Sequence, residues 1–253
     1  MELPDTDPAH ERIRALSLAK YRRHAARYDG SLGPTWPIRQ RAVQGLGLRA
    51  GQRVLDVGCG TGMSLALLRS AVGERGHVYG FDQSPEMLAR ARALAAPWPN
   101  VTLMHAAAHE LRLPEAVDAV LFHYTHDILR SPCAIEHVLR SARPGARVAV
   151  AGMKYFPRWL APLNLWVYFK NHGYNGAPGQ LARPWDRIVP HLAGWQLTPT
   201  QFGMGYLAFG TVRQGAADQA AAAAAAGDRG APPRAPAATR PSSQPAGAAQ
   251  GAR

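Results

Sequence analysis

Val54-Leu55-Asp56-Val57-Gly58-Cys59-Gly60-Thr61-Gly62 decides how this chain is read. A short apolar run of strand character enters a loop with glycine at every second position, and a helix-length segment from about Met63 to Val72 follows at once. Glycine there lets the backbone turn tightly and lets a ligand approach with no Cβ in the way. Asp82 stands 20 residues beyond Gly62, at the end of the next apolar run. A carboxylate in that place can accept hydrogen bonds from both hydroxyls of a ribose. The dinucleotide fingerprint G-x-G-x-x-G, counted from Gly58, would need glycine where Met63 stands.

Outward from this loop, short apolar runs alternate with helical segments. The runs are VLDV from 54, HVYGF from 77, VTLMH from 101, VDAVLFH from 117 and ARVAVAG from 146; helices are expected over Met63–Val72, Pro85–Ala96 and Pro132–Ala142. This alternation predicts a parallel sheet covered on both faces. Two last strands, around Trp195–Phe202 and Tyr206–Val212, are separated only by Gly203, Met204 and Gly205, so they must be antiparallel neighbours. Upstream, residues 10–28 have the spacing of an amphipathic helix, with a second helix over Ile38–Leu48. Lys154–Gly179 is rich in aromatic residues, Asn, Gly and Pro, and Trp185–Leu192 reads as a short helix.

The chain has 253 residues and a formal net charge of +12. That charge is spread as +5 over residues 1–53, +5 over 54–213 and +2 over 214–253, and all but three of the 29 basic residues are arginine. An even arginine excess beside abundant Ala, Gly and Pro fits a GC-rich coding bias better than a nucleic-acid surface, leaving a weak hint of anionic substrates or a membrane surface. Cys59 and Cys133 are too few for a disulfide framework or a zinc centre. With no secretory pattern at the N-terminus, and no apolar window near the roughly 20 residues that a spanning helix needs, a cytoplasmic location is expected. Residues 214–253 contain no apolar side chain larger than alanine or proline, so they are read as a disordered tail.

Taken with FDQSPEML at 81–88 and the stretch Leu111–Leu121, the glycine loop resembles the first motif of the class I S-adenosylmethionine-dependent methyltransferases, and the other two resemble later motifs of that family. The resemblance covers about Tyr21 to Val212. It implies an α/β, Rossmann-like, doubly wound sheet of seven strands with an antiparallel last strand, a helical lid over 1–50, a methyltransferase domain over 51–213, and an aromatic substrate cover over 154–192. It also implies S-adenosylmethionine as cofactor and S-adenosylhomocysteine as product. Carried over residue by residue, Asp56, Gly58, Cys59, Gly60 and Gly62 line the methionine and ribose side, Asp82 holds the ribose, and Gln83 lies beside the adenine. Tyr28 closes the cleft. Where the family often has an acidic residue for the adenine amino group, this chain reads Ala106-Ala107-Ala108-His109, so the Ala108 backbone or His109 must substitute.

The end of the fourth strand, Phe122-His123-Tyr124-Thr125-His126-Asp127, is where this fold places residues beside the transferable methyl group. His126 or His123 could remove a proton from the attacking group; alternatively, His123 packs on the cofactor and His126 caps the next helix. A metal site at His123, His126 and Asp127 is disfavoured for want of a further ligand. For the acceptor, the candidates are Tyr21 on the N-terminal helix and Trp159, Trp166, His172 and Tyr174 in the cover, which suit a flat, aromatic or lipophilic small molecule. A nucleic-acid methyltransferase is opposed by the even charge and the missing asparagine-proline-proline-aromatic sequence. A non-catalytic cofactor-binding module and a nicotinamide-dependent dehydrogenase complete the alternatives. Peripheral membrane contact and oligomeric state stay open.

Overall fold

The computed structural model describes residues 35–156, 160, 163–164 and 181–213. Seven strands form one sheet: β1 (Arg53–Val57), β2 (His77–Asp82), β3 (Val101–His105), β4 (Val117–His123), β5 (Ala142–Met153), β6 (Leu192–Thr200) and β7 (Gly205–Val212). Their spatial order is β3-β2-β1-β4-β5-β7-β6. Pairing is parallel from β3 across to β5, and β7 is antiparallel to both its neighbours. The expected sheet and its final hairpin are both present.

Helices α1 (Trp36–Gly45), α2 (Leu65–Val72) and α3 (Pro85–Ala95) cover one face, where Ile38, Val43, Leu65, Leu68 and Ala91 join Val54, Leu121, Ala149 and Leu207 in one cluster. On the other face, α5 (Pro132–Arg140) and the turn before β6 bring Ile135, Val138 and Ile188 against Leu55, Phe122, Val150 and Tyr206. Each fully buried aliphatic side chain of this kind stabilises the fold by roughly 1.5–3 kcal/mol. α1 falls within the 1–50 segment assigned above to a lid, and its buried stripe of Ile38, Ala42, Val43 and Leu46 seats it on the sheet.

Serine-proline pairs start two of the helices. Ser84 Oγ accepts the Met87 amide at 3.3 Å and Ser131 Oγ accepts the Ala134 amide at 3.3 Å, with Pro85 and Pro132 in the first turn, where a missing N–H costs nothing. One expected helix is absent: Trp185–Leu192 forms turns and a three-residue 3-10 segment, Val189–His191. Pro190 removes a helical donor and disfavours the helical conformation at Val189, while Ile188 is fixed by burial in the core.

Strand alternation sets the site. Asp56 follows Val54 toward α1 and α2, and His123 follows Leu121 on the same face. The β1–β4 register, Val57 opposite Phe122, then brings the glycine loop beside the end of β4.

Candidate functional site

The glycine loop is fixed to β2 by Asp82. One carboxylate oxygen accepts the Gly60 amide at 2.9 Å and the other accepts the Ser84 amide at 2.8 Å. Burial pushes the Asp82 carboxyl up, and these amides oppose the shift. The Gln83 amide also reaches this carboxylate, which keeps lone-pair capacity for a ligand hydroxyl. Gly60 lies at φ +57°, and a Cβ built there meets nothing within 4 Å, so the crest of the loop faces open space. The flanking glycines serve packing. A Cβ at Gly58 would stand 2.9 Å from Thr125 Cγ2, and one at Gly62 would stand 2.8 Å from Leu65 Cδ1. Cys59 is buried, with its side chain against the space that a Cβ on Gly80 would need. Burial and the nearby acids push its thiol up, which makes it a poor nucleophile.

Beneath the loop is a buried polar chain. Arg39 of α1 donates to Ser64 Oγ at 2.5 Å, and the Ser64 hydroxyl bonds in turn to Asp56. Burial pushes the Asp56 carboxyl up to about 7 against the pull of Arg39 and the Ser64 bond, with Asp82 adding to the rise. Asp56 Oδ2 has no hydrogen-bond partner. His123 is 7% exposed, and neither of its ring nitrogens has a partner. Burial, then Arg39, pushes its pKa well below the ordinary histidine value, so the ring is neutral.

At the turn after β3, the Ala107 amide donates to Glu110 Oε2 at 3.3 Å, and His109 Nε2 is 3.8 Å from Glu110 Oε1. A carboxylate is therefore present at this turn three residues beyond the alanine that replaces it. Ala108 is buried, and the Gln83 carbonyl pairs with His105 Nε2 at 3.1 Å.

The β4 end turns sharply at Tyr124, φ +62°, into the short helix α4 (His126–Leu129). Tyr124 lies between the two histidines, with ring centroids 4.9 Å from His123 and 6.1 Å from His126, and its hydroxyl donates to Gln201 Oε1 at 3.3 Å. His126 Nε2 accepts the Met153 amide at 3.3 Å. Burial, with Arg130 adding, pushes the His126 ring down to about 4, so it is neutral and carries its proton on Nδ1. Tyr206 is buried with its ring edge-on to Trp185 at 4.9 Å, and its hydroxyl has no partner.

The structure thus brings together Asp56, the loop glycines, Asp82 and the two histidines at the carboxyl edge of the sheet. Tyr21, Tyr28, Trp159, Trp166, His172 and Tyr174 lie outside the described residues. Arg39, Glu110 and Tyr206 were not foreseen. Arg39 could have been found as the one cation in the stripe Ile38, Arg39, Ala42, Val43, Leu46. Among the described residues no group of three His, Cys, Asp or Glu could hold a metal, and no helix is long and apolar enough to cross a membrane.

This donor set fits S-adenosylmethionine. Asp56 Oδ2 is an unpaired acceptor suited to an ammonium, Asp82 offers lone pairs to a ribose, and the ground above Gly60 is open. The fold and the loop are similar to those of class I S-adenosylmethionine-dependent methyltransferases. Residues 54–145 match the family described as "Methyltransferase domain". The chain is 27% identical over 172 residues to the 2-phytyl-1,4-naphtoquinone methyltransferase of Thermosynechococcus vestitus, covering 64% of this chain and 73% of that one. It is 42% identical over 73 residues to the demethylmenaquinone methyltransferase of Staphylococcus aureus, covering 29% and 30% of the two chains. Among solved structures, the N-methyltransferase NodS of Bradyrhizobium japonicum in complex with S-adenosyl-L-homocysteine aligns with a TM-score of 0.59 at 16% identity, over 78% of this chain and 99% of that one. At that identity the likeness speaks for the fold.

Proposed function

We propose that the chain transfers the methyl group of S-adenosylmethionine to a small aromatic or lipophilic acceptor. The observation that carries this reading is the contact between the two halves of the site: Thr125 and Ile128, on the turn after β4, abut Gly58 of the cofactor loop. An acceptor held against that turn would lie beside the cofactor. The quinone acceptors in the names of the two relatives support a small, lipophilic acceptor.

The cofactor supplies a methyl carbon already activated by a sulfonium. The protein's task is then to hold, orient and exclude water, and effective concentrations in such geometries supply several kcal/mol of the barrier. Asp82 would hold the ribose, Asp56 the amino-acid end, and Glu110 the adenine edge. His123 and His126, both neutral and buried, would line the methyl side, and the cover over 154–192 would close it. The test is incubation with S-adenosylmethionine and a panel of hydroxylated aromatic acceptors, with S-adenosylhomocysteine quantified by mass spectrometry. Product growing with acceptor concentration supports the reading. Tight cofactor binding with no turnover on any acceptor favours a non-catalytic module, and turnover only on RNA or DNA overturns the acceptor class.

A further inference from the structure

We infer that His126 and Tyr206 form a two-donor site for an oxygen on the acceptor, a carbonyl or phenolate carried by a flat ring. This rests on the methyl-transfer reading above and names the chemistry that its acceptor must present.

His126 Nε2 is taken by the Met153 amide at 3.3 Å, and a backbone N–H can only donate. In the neutral ring Nδ1 is therefore an N–H donor, and it is fully buried with no partner. Tyr206 presents a second fully buried donor without a partner, its hydroxyl. The two converge. A Cβ built on Gly152 would stand 2.8 Å from His126 Cε1 and 3.0 Å from Tyr206 Oη, so glycine there lets the two side chains approach one another over β5.

Their surroundings select the ligand. Buried donors left without acceptors cost about 1–3 kcal/mol each, so such a pair favours whatever brings lone pairs to it. The nearest carboxylate on the same turn, Asp127, is engaged with Arg130 at 3.6 Å. Trp185 holds the Tyr206 ring edge-on, giving the spot an aromatic wall. The left-handed Tyr124 turns the chain so that His126 follows directly on Thr125, which touches the cofactor loop at Gly58. An oxygen bound between the two donors would thus anchor a ring close to the loop, and donors on a phenolate would also stabilise its ionised form.

The test uses the full chain saturated with S-adenosylhomocysteine, titrated with 1-naphthol and with naphthalene. Wild type is expected to prefer 1-naphthol at least tenfold and to lower the pH at which the bound naphthol ionises, read from naphtholate absorbance. Tyr206→Phe and His126→Gln should each lose most of the preference and of the ionisation shift, with naphthalene and S-adenosylhomocysteine affinities unchanged. Glutamine keeps an acceptor for the Met153 amide and loses the Nδ1 donor. His126→Asn places a donor near Nδ1 and should restore part of the preference. No preference in wild type overturns the inference. So does an unchanged naphthol-to-naphthalene ratio in both variants, even where melting temperature drops, because the pair then serves only the fold. Failure of wild type to bind S-adenosylhomocysteine would instead strike the methyl-transfer reading itself.

Discussion

Gly60 donates its amide to the Asp82 carboxylate across 2.9 Å, so the crest of the first loop is held by the strand that follows it. One carboxylate therefore shapes the loop and, on the function proposed, would also receive the ligand, and substitutions at the two ends of this bond should separate the roles.

Gly60→Ala is expected to fold. The added methyl meets no neighbour, and the left-handed backbone costs about 1–2 kcal/mol, or a few degrees of melting temperature. Calorimetry should nonetheless show S-adenosylhomocysteine affinity at least tenfold weaker. Gly62→Ala should behave oppositely, because its methyl strikes Leu65 and comes within 3.2 Å of Ala91: the larger loss falls on stability. Equal behaviour of the two variants would sink this division of labour.

Asp82→Ala should weaken S-adenosylhomocysteine by two orders of magnitude or more, since charge-assisted hydrogen bonds to both hydroxyls are worth roughly 1.5–3 kcal/mol each. Titration with 2′,3′-dideoxy analogues discriminates. Wild type should lose affinity for them and the variant should not.

Stability should depend on pH through the buried polar chain. Asp56 titrates near 7 in the folded state against an ordinary value of 3.8. The folded chain holds a proton that the unfolded chain has lost, and stability falls as pH rises through that window. His126 acts in the other direction: with its ring pushed from 6.5 to about 4, stability is lost as pH falls through that range, and His123 adds to it. The two therefore oppose one another between about pH 4 and 6.5, and Asp56 adds no slope above about 7. Asp56→Asn should steepen the rise of melting temperature with pH between about 4 and 7. An unchanged slope over that range in Asp56→Asn removes Asp56 as a contributor.

Deletion of residues 214–253 should leave melting temperature and S-adenosylhomocysteine affinity unchanged, because that stretch offers the core no apolar side chain larger than alanine or proline. A drop of several degrees would show that it docks.

The glycine loop and the carboxylate that holds it were legible in the sequence because their determinants are local. The strand, the spaced glycines and an acid one strand later all lie within Val54–Asp82. The final hairpin was legible for the same reason, since three residues leave no room for a crossover. What escaped was set by distance along the chain. Gly152 meets Tyr206 only through the antiparallel register of β5 and β7, and Arg39 reaches Ser64 only because α1 packs on α2. Neither pairing leaves a local pattern. The expected helix at Trp185–Leu192 failed where one proline and one buried isoleucine outweighed periodicity.

The insertion of β7 between β5 and β6 bears on how the chain matures. Strands β1 to β4 need only residues 53–123 to pair, so this half can assemble while later residues are still emerging from the ribosome. The pairing of Gly152 with Tyr206 waits for the last described strand. Until then β5 presents an unpaired edge, open to wrong partners. The wall that carries Tyr206 is thus the last to be built, and on the function proposed, interrupted synthesis would yield molecules with the glycine loop formed and the acceptor wall missing.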